Sequence, residues 1–331
     1  MTEPEGIRNM EPAGKKGIAM GIGTGIGMRD VLVVGGNRYF GKRLVERLIS
    51  AGDRVTVLNR GSSAPPSGAE HLVADRDDED SLKRALGARS FDVVVDQVLY
   101  TPRQADIALR VFAGRTRRYV MTSTIEVYEY EDSDAPVREE AVDPVTVPVD
   151  LSLPWDDPDY LDTHYGEGKR QAEAVLAAAP GFPWVAVRVA HVLGGADDFT
   201  GRVDHYADRM RAGEPLSVPV TNHPSTYIHV EEIADFLAWT TRQDFTGPVN
   251  ANAHGLVHTE ELVAAITALT GEQPVFREVE LGSTSPFSFS RFYAMDNSRA
   301  TALGFPFRTA KDWLTPAVAE TLGSRGHSPR G

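Results

Sequence analysis

Two features of the chain could carry chemistry on their own. Tyr165 and Lys169, in Tyr165-Gly166-Glu167-Gly168-Lys169, are four residues apart. In a helix that spacing puts a phenol and an ammonium on one face. Such a pair suits proton exchange with a carbonyl or alcohol oxygen. A free tyrosine titrates near ~10 and a neighbouring ammonium favours the phenolate, so the pair predicts a phenol of lowered pKa acting as general acid or base. The second feature is the turn Gly35-Gly36-Asn37-Arg38-Tyr39-Phe40-Gly41. Where a strand runs through such a turn into a helix, unpaired backbone N–H groups and the positive end of the helix dipole cradle a pyrophosphate. His254 and His258 are also four apart, but no third ligand or HExxH pattern accompanies them, so they read as surface histidines and no metal site is expected.

The surrounding pattern supplies the strand and helix that this turn requires. Val31–Gly36 is a short β-branched run ending in glycines, the mark of a buried parallel strand. Leu44, Val45, Leu48 and Ile49 recur at helical spacing, and Arg54–Arg60 reads as the next strand. Together they make a βαβ unit of about thirty residues, the size of a mononucleotide-binding half. Further strands are expected at His71–Asp75, Phe91–Asp96, Arg118–Thr124, Trp184–Ala190 and Gly247–Ala253, with Thr259 capping a helix after the last. The alternation predicts an α/β fold, a doubly wound parallel sheet of Rossmann type. Residues 30–190 are assigned to the dinucleotide-binding domain, which a strand and helix rejoin near 226–270. Residues 191–225 and 271–325 are assigned to a smaller substrate lobe over the carboxyl ends of the strands, where ligands bind in this architecture. Residues 1–29 read as a disordered tail. Its GIGTGIG stretch follows no strand and is not taken as a phosphate loop, and Met28 is an alternative start.

Cofactor choice follows from charge. An acidic residue closing the second strand would bond the adenosine ribose hydroxyls and repel a 2′-phosphate. Asn59 stands there instead, followed by Arg60, with Arg38 in the loop. Two arginines flanking a phosphate favour NADP(H), with NAD as second choice.

The glycine turn, followed by VADRDD (Val73–Asp78) and YTPRQ (Tyr100–Gln104), resembles the extended short-chain dehydrogenase/reductase superfamily. Val34 stands where the superfamily has Thr and Arg38 replaces its middle glycine. The variant is similar to the atypical branch that holds the chloroplast stem-loop-binding proteins and epimerase-like reductases. The resemblance covers roughly residues 30–325. It implies that Asp75 lies beside the adenine, that Arg76 belongs to the cofactor site, and that Lys169 bonds the nicotinamide ribose. Thr122-Ser123-Thr124-Ile125-Glu126-Val127-Tyr128 resembles the superfamily's SSxxVY, which implies that the Thr124 hydroxyl orients the substrate carbonyl, with Ser123 as understudy. Tyr165 and Lys169 fall between the fifth and sixth strands, where the superfamily carries its YxxxK. His164 and His191 are further candidates for the substrate pocket. Nucleotide-sugar members carry an Asn where His191 stands and an Arg where Ser225 stands. Their absence, with only Arg202 or Arg291 to compensate, argues against a nucleotide-sugar substrate.

Composition narrows the classes. The 331 residues hold 34 basic against 47 acidic side chains, for a net charge of −13. A surface that acidic repels phosphate backbones, and Arg115, Arg117 and Arg118 form only a short basic patch. The chain has no cysteine, which excludes thiol nucleophiles and disulfides and fits a reducing cytoplasm. No apolar run is long enough to span a bilayer. The expected protein is a cytoplasmic NADP(H)-dependent oxidoreductase moving hydride to or from a carbonyl or alcohol carbon of a small polar metabolite through Thr124, Tyr165 and Lys169. The alternatives are an epimerase or dehydratase that retains NAD(P), and a non-catalytic nucleic-acid-binding or regulatory member of the fold, which the charge disfavours. The resemblance also makes a homodimer an expectation.

Overall fold

The computed structural model describes residues 28–280 and 282–323. Its first half alternates strand and helix: β1 (Asp30–Val34), α1 (Tyr39–Ser50), β2 (Arg54–Asn59), β3 (Glu70–Val73), α2 (Glu79–Leu86), β4 (Val93–Asp96), α3 (Pro102–Phe112) and β5 (Tyr119–Thr124). Then follow α4 (Pro158–Thr163), α5 (Tyr165–Ala177), β6 (Trp184–Val189), β7 (His191–Leu193), α6 (Arg202–Ala212) and β8 (Leu216–Pro219). The chain closes with β9 (Tyr227–His229), α7 (Val230–Thr240), β10 (Gly247–Ala251), α8 (Thr259–Thr270), β11 (Phe276–Val279), α9 (Ser298–Ala302) and α10 (Ala310–Gly323).

Seven strands form one parallel sheet in the order β10-β6-β5-β4-β1-β2-β3. Successive β1 side chains point to opposite faces, so Val31 and Val33 pack with α1 and α7 while Leu32 and Val34 pack with α2, α3 and α5. Both faces of the central strands are covered, which is why runs such as Val31–Val34 and Val93–Val95 are apolar throughout. The order reverses between β1 and β4, and the crevice at their carboxyl ends is the place where such sheets bind ligands. Two small parallel pairs, β7 with β9 and β8 with β11, stand beyond the sheet. They share a third apolar cluster with α6, α8 and α10 that includes Tyr206, Phe287 and Trp313.

Each expected strand is present within two residues of its expected limits. The differences have local causes. Arg29, assigned to the tail, is packed: its guanidinium bonds Asp53 at 2.7–2.9 Å and the Thr241 carbonyl at 2.8 Å. The rest of the expected tail, residues 1–27 with their GIGTGIG stretch, lies outside the described residues. Thr259 is the first residue of α8 rather than its cap, because its hydroxyl is taken by the Phe287 carbonyl at 2.6 Å. The short basic patch is dispersed. Arg115 bonds the Gly87 carbonyl, Arg117 pairs with Asp92, and Arg118 is buried against Phe245.

Candidate functional site

The glycine turn joins β1 to α1 as expected. Gly35 and Gly36 have φ of +90° and +83°, and a Cβ on Gly36 would come within 2.8 Å of Val33. A Cβ on Gly41 would come within 2.1 Å of Gln97 Oε1. Glycine is thus what lets the turn lie flat against the end of β4. Arg38 caps α1 without a side-chain hydrogen bond, and the first turn carries no acid. The N-terminus therefore keeps its donors and its positive dipole for an anion, which fits a cofactor pyrophosphate.

Asn37 and Asn59 brace the neighbouring loop. Asn59 Nδ2 donates to Asn37 Oδ1 at 3.1 Å, and Asn37 Nδ2 donates to the Ser63 carbonyl at 2.9 Å. Arg38, Arg60 and Asp75 are exposed, so both guanidinium groups are free to meet a phosphate. Tyr39 has a φ of +50° and donates from its hydroxyl to the Gly194 carbonyl at 2.8 Å, while Phe40 is partly buried under it. Tyr39 thus ties the turn to the 194–201 loop rather than facing solvent. Arg76 points inward. It is 7 % exposed and bonds Asp96 Oδ2 at 2.5 Å, an oxygen that also accepts from the Tyr119 hydroxyl at 2.7 Å. It supports β4 from beneath and does not line the open groove.

The second half of the site is built around α5. Lys169 is 1 % exposed, and its ammonium donates to the Leu99 and Thr122 carbonyls, both at 2.7 Å. It lies 4.5 Å from the Tyr100 ring and 5.7 Å from the Tyr165 ring. The two residues do share a helix face. The segment after β4 links the halves, since Gln97 touches Gly41 while Leu99 and Tyr100 touch Lys169. Two glycines make this possible. A Cβ on Gly166 would lie 2.5 Å from the Glu126 carbonyl, and one on Gly168 would lie 2.6 Å from the Tyr100 carbonyl. Their position inside a helix was the available signal for that close approach.

Burial overturns the expected electrostatics of the pair. The Tyr165 phenol is pushed well above the ordinary tyrosine value, first by desolvation and then by Tyr100 and Glu126, with Thr124 and Arg202 pulling the other way. Desolvation lowers Lys169 to about 7, against the attraction of Asp96. An ammonium that has lost much of its own driving force to ionise cannot dominate the phenol beside it.

Thr124 ends β5, 8 % exposed, its hydroxyl accepting from the Glu126 amide at 3.2 Å. Ser123 faces away from it. Its hydroxyl donates to Glu173 Oε1 at 2.6 Å, and Glu173 pairs with the fully buried Arg188 at 2.6 Å. His164 stacks on Tyr160 at 4.0 Å, at the junction of α4 and α5. His191 lies deep in the lobe beyond the sheet. Sequence reasoning missed Tyr293, whose hydroxyl donates to Glu126 Oε2 at 2.5 Å. It also gave Arg202 no place near Tyr165, because α6 is brought there only by tertiary packing. Beside Glu126 opens a cavity of about 510 Å³, lined by Glu129, Thr284, Ser288, Arg291 and Tyr293. No group of side chains with metal-ligand composition occurs among the described residues, and no described helix is long and apolar enough to cross a membrane.

The model of the NAD dependent epimerase/dehydratase family matches residues 31–252. The chloroplast stem-loop binding protein of 41 kDa b of Arabidopsis thaliana is 26 % identical over 224 residues, which are 62 % of this chain and 53 % of that protein. The match thus spans about half the length of that relative. The 3-oxoacyl-[acyl-carrier-protein] reductase MabA of Mycobacterium tuberculosis is 43 % identical over 60 residues, 18 % of this chain and 24 % of that protein. Among solved structures, the UDP-glucose 4-epimerase of Thermus thermophilus in complex with NAD has a TM-score of 0.66 at 19 % identity, covering 90 % of this chain and 99 % of that one. The Bordetella bronchiseptica enzyme WbmH in complex with NAD⁺ has a TM-score of 0.67 at 17 % identity, with the same coverage. At such identities the likeness to the solved structures concerns the fold.

Proposed function

The chain belongs to the NAD-dependent epimerase/dehydratase family, and from that premise we propose that it is an NADP(H)-dependent reductase of a small polar carbonyl compound, with Thr124, Tyr165 and Lys169 as its catalytic residues. The observation that carries the reading is the grouping of the Thr124 hydroxyl and the Lys169 ammonium about the Tyr165 phenol, one short segment away from the Gly35–Gly41 turn.

The turn and the N-terminus of α1 hold the pyrophosphate of the cofactor. Asp75 lies toward its adenine end, and Arg38 and Arg60 flank a 2′-phosphate across the loop that Asn37 and Asn59 brace. When bound, the nicotinamide supplies the hydride. Tyr165 donates its phenolic proton to the substrate oxygen, and the Thr124 hydroxyl orients that oxygen. Burial keeps the phenol protonated at neutral pH, the state that reduction requires. Lys169 has three donors and spends two on carbonyls, leaving one for a ribose hydroxyl. In its protonated form it also steadies the phenol oxygen as the proton leaves. Residues 191–225, 271–280 and 282–323 supply the substrate side of the site, the rest of the expected 271–325 span lying outside the described residues.

A second reading, an epimerase or dehydratase that retains its cofactor, draws on Glu126. This carboxylate sits beside Tyr165 and is held by Tyr293. Fluorescence titration of the purified protein with NADPH and NADH, together with identification of any nucleotide that copurifies, separates the readings. Tighter binding of NADPH to an empty site supports the reductase, whereas copurified NAD⁺ supports the retained-cofactor cycle. Tyr165→Phe is expected to lower turnover by about 10²–10⁴-fold with cofactor affinity unchanged. Binding of neither nucleotide would refute both.

A further inference from the structure

Three polar groups share one aromatic corner of the lobe and have no part in the triad. His191 stacks on Phe289 with ring centroids 5.3 Å apart and meets Tyr293 edge-on at 5.7 Å. It is 7 % exposed, and its Nε2 has no hydrogen-bond partner. Tyr227 stands opposite His191 in the pairing of β7 with β9, its ring 5.6 Å away. It is 1 % exposed, and its hydroxyl is also without a partner. Phe287 touches both rings, and the Arg202 guanidinium lies 5.7 Å over that same Phe287. Arg202 is half-buried and makes no salt bridge among the described residues. Its field reaches His191, Tyr227 and Tyr165 alike.

Buried donors left without acceptors are unfavourable, and native proteins keep few of them without a use. A cation with no salt-bridge partner, beside an orphaned phenol and an orphaned imidazole nitrogen, is the recognition chemistry of an anion. Burial and the nearby guanidinium drive His191 down to about 3, so the ring is neutral at neutral pH, and its Nε2–H tautomer would donate without a charge. One positive charge with two neutral donors matches a singly charged carboxylate better than a phosphate dianion. The adjoining cavity has the opposite character. Glu126, Glu129 and Glu280 line it together with Thr284 and Ser288. Those oxygens accept hydrogen bonds and suit a substrate's hydroxyl groups.

We propose that Arg202, His191 and Tyr227 form a carboxylate subsite next to Tyr165, so that the substrate is a small hydroxylated carboxylic acid or its oxo form. The proposal rests on the reductase reading for the reaction, but the subsite can be measured without turnover. Calorimetry of the protein, with and without NADP⁺, would compare three pairs of similar skeleton with and without a carboxylate: glycolate with ethylene glycol, lactate with 1,2-propanediol, and gluconate with sorbitol. Inorganic phosphate serves as a further probe. At least one acid is expected to bind tenfold or more tightly than its neutral counterpart. Arg202→Gln should remove that advantage, a loss of about 10- to 100-fold for one charge-assisted contact. Arg202→Lys should recover part of it, and NADPH affinity should not change in either variant. Arg202 opens a surface helix, so these variants are expected to fold, and Tyr227→Phe gives an independent, smaller loss.

The proposal is overturned if no acid outbinds its neutral partner, if Arg202→Gln leaves acid binding intact, or if phosphate binds more tightly than every acid. It is also overturned if Arg202→Gln weakens NADPH as much as the acid, since the guanidinium would then serve the cofactor. Failure of NADPH and NADH to bind while the acid pairs are still discriminated would refute the reductase reading and leave the subsite standing.

Discussion

Replacing Lys169 with Met is expected to stabilise the protein while abolishing its activity. The ammonium is 1 % exposed, and burial takes it from 10.5 down to about 7. Lysine in an unfolded chain holds its proton to about pH 10. Between about pH 7 and that limit the unfolded state binds the extra proton, so this residue makes stability rise with pH there. At about 1.4 kcal/mol per pH unit, the buried ammonium costs the fold on the order of 5 kcal/mol at pH 7 and below. Methionine removes that cost but leaves the Leu99 and Thr122 carbonyls each short of one donor, at about 1 kcal/mol apiece. It also loses the contact with the Tyr100 ring, worth about 1 kcal/mol. Desolvation outweighs these losses, and the variant should be more stable by about 1–3 kcal/mol at pH 6. Urea denaturation at intervals from pH 6 to pH 10 reads the difference, which should shrink by about 1.4 kcal/mol per pH unit above pH 7, pass through zero at about pH 8–9 and be reversed by pH 10. Equal or lower stability of the variant at pH 6, or a difference that stays constant over the whole range, would refute the reasoning.

Three further outcomes are expected. Gly168→Ala puts a Cβ 2.6 Å from the Tyr100 carbonyl; the displaced helix should cut turnover by about tenfold or more, read by kcat at saturating cofactor, although alanine is the better helix former. Glu173→Ala strands the fully buried Arg188 and frees Ser123. It should destabilise the protein by about 3–5 kcal/mol, and a change below about 1 kcal/mol in urea denaturation would show that water reaches the pair. Arg60→Gln, alone and with Arg38→Gln, should weaken NADPH by about tenfold or more while leaving NADH within twofold. Equal loss of both cofactors in a titration would show that neither arginine reads the 2′-phosphate.

Much of the molecule was legible before any folding was considered. Runs such as Val31–Val34 and Val93–Asp96 are β-branched because strands covered on both faces bury every side chain, and that pattern is local. The turn from β1 to α1 and the four-residue spacing of Tyr165 and Lys169 are local as well, since a helix decides which neighbours share a face. What those groups meet is decided elsewhere. Lys169 reaches carbonyls of the segment after β4 and of β5, Arg76 turns inward to Asp96, and Ser123 turns to Glu173. His191, Arg202, Tyr227 and Phe287 come from four separate segments and meet only because β7 pairs with β9 and α6 packs beneath them. The expected lowering of the Tyr165 pKa failed for the same reason. By itself the sequence determined the sheet, the glycine turn from β1 to α1 and the shared helix face of Tyr165 and Lys169, all set by spacing along the chain. Their proton states and the chemistry of the surrounding pocket were decided only by tertiary structure, because desolvation depends on what distant segments cover.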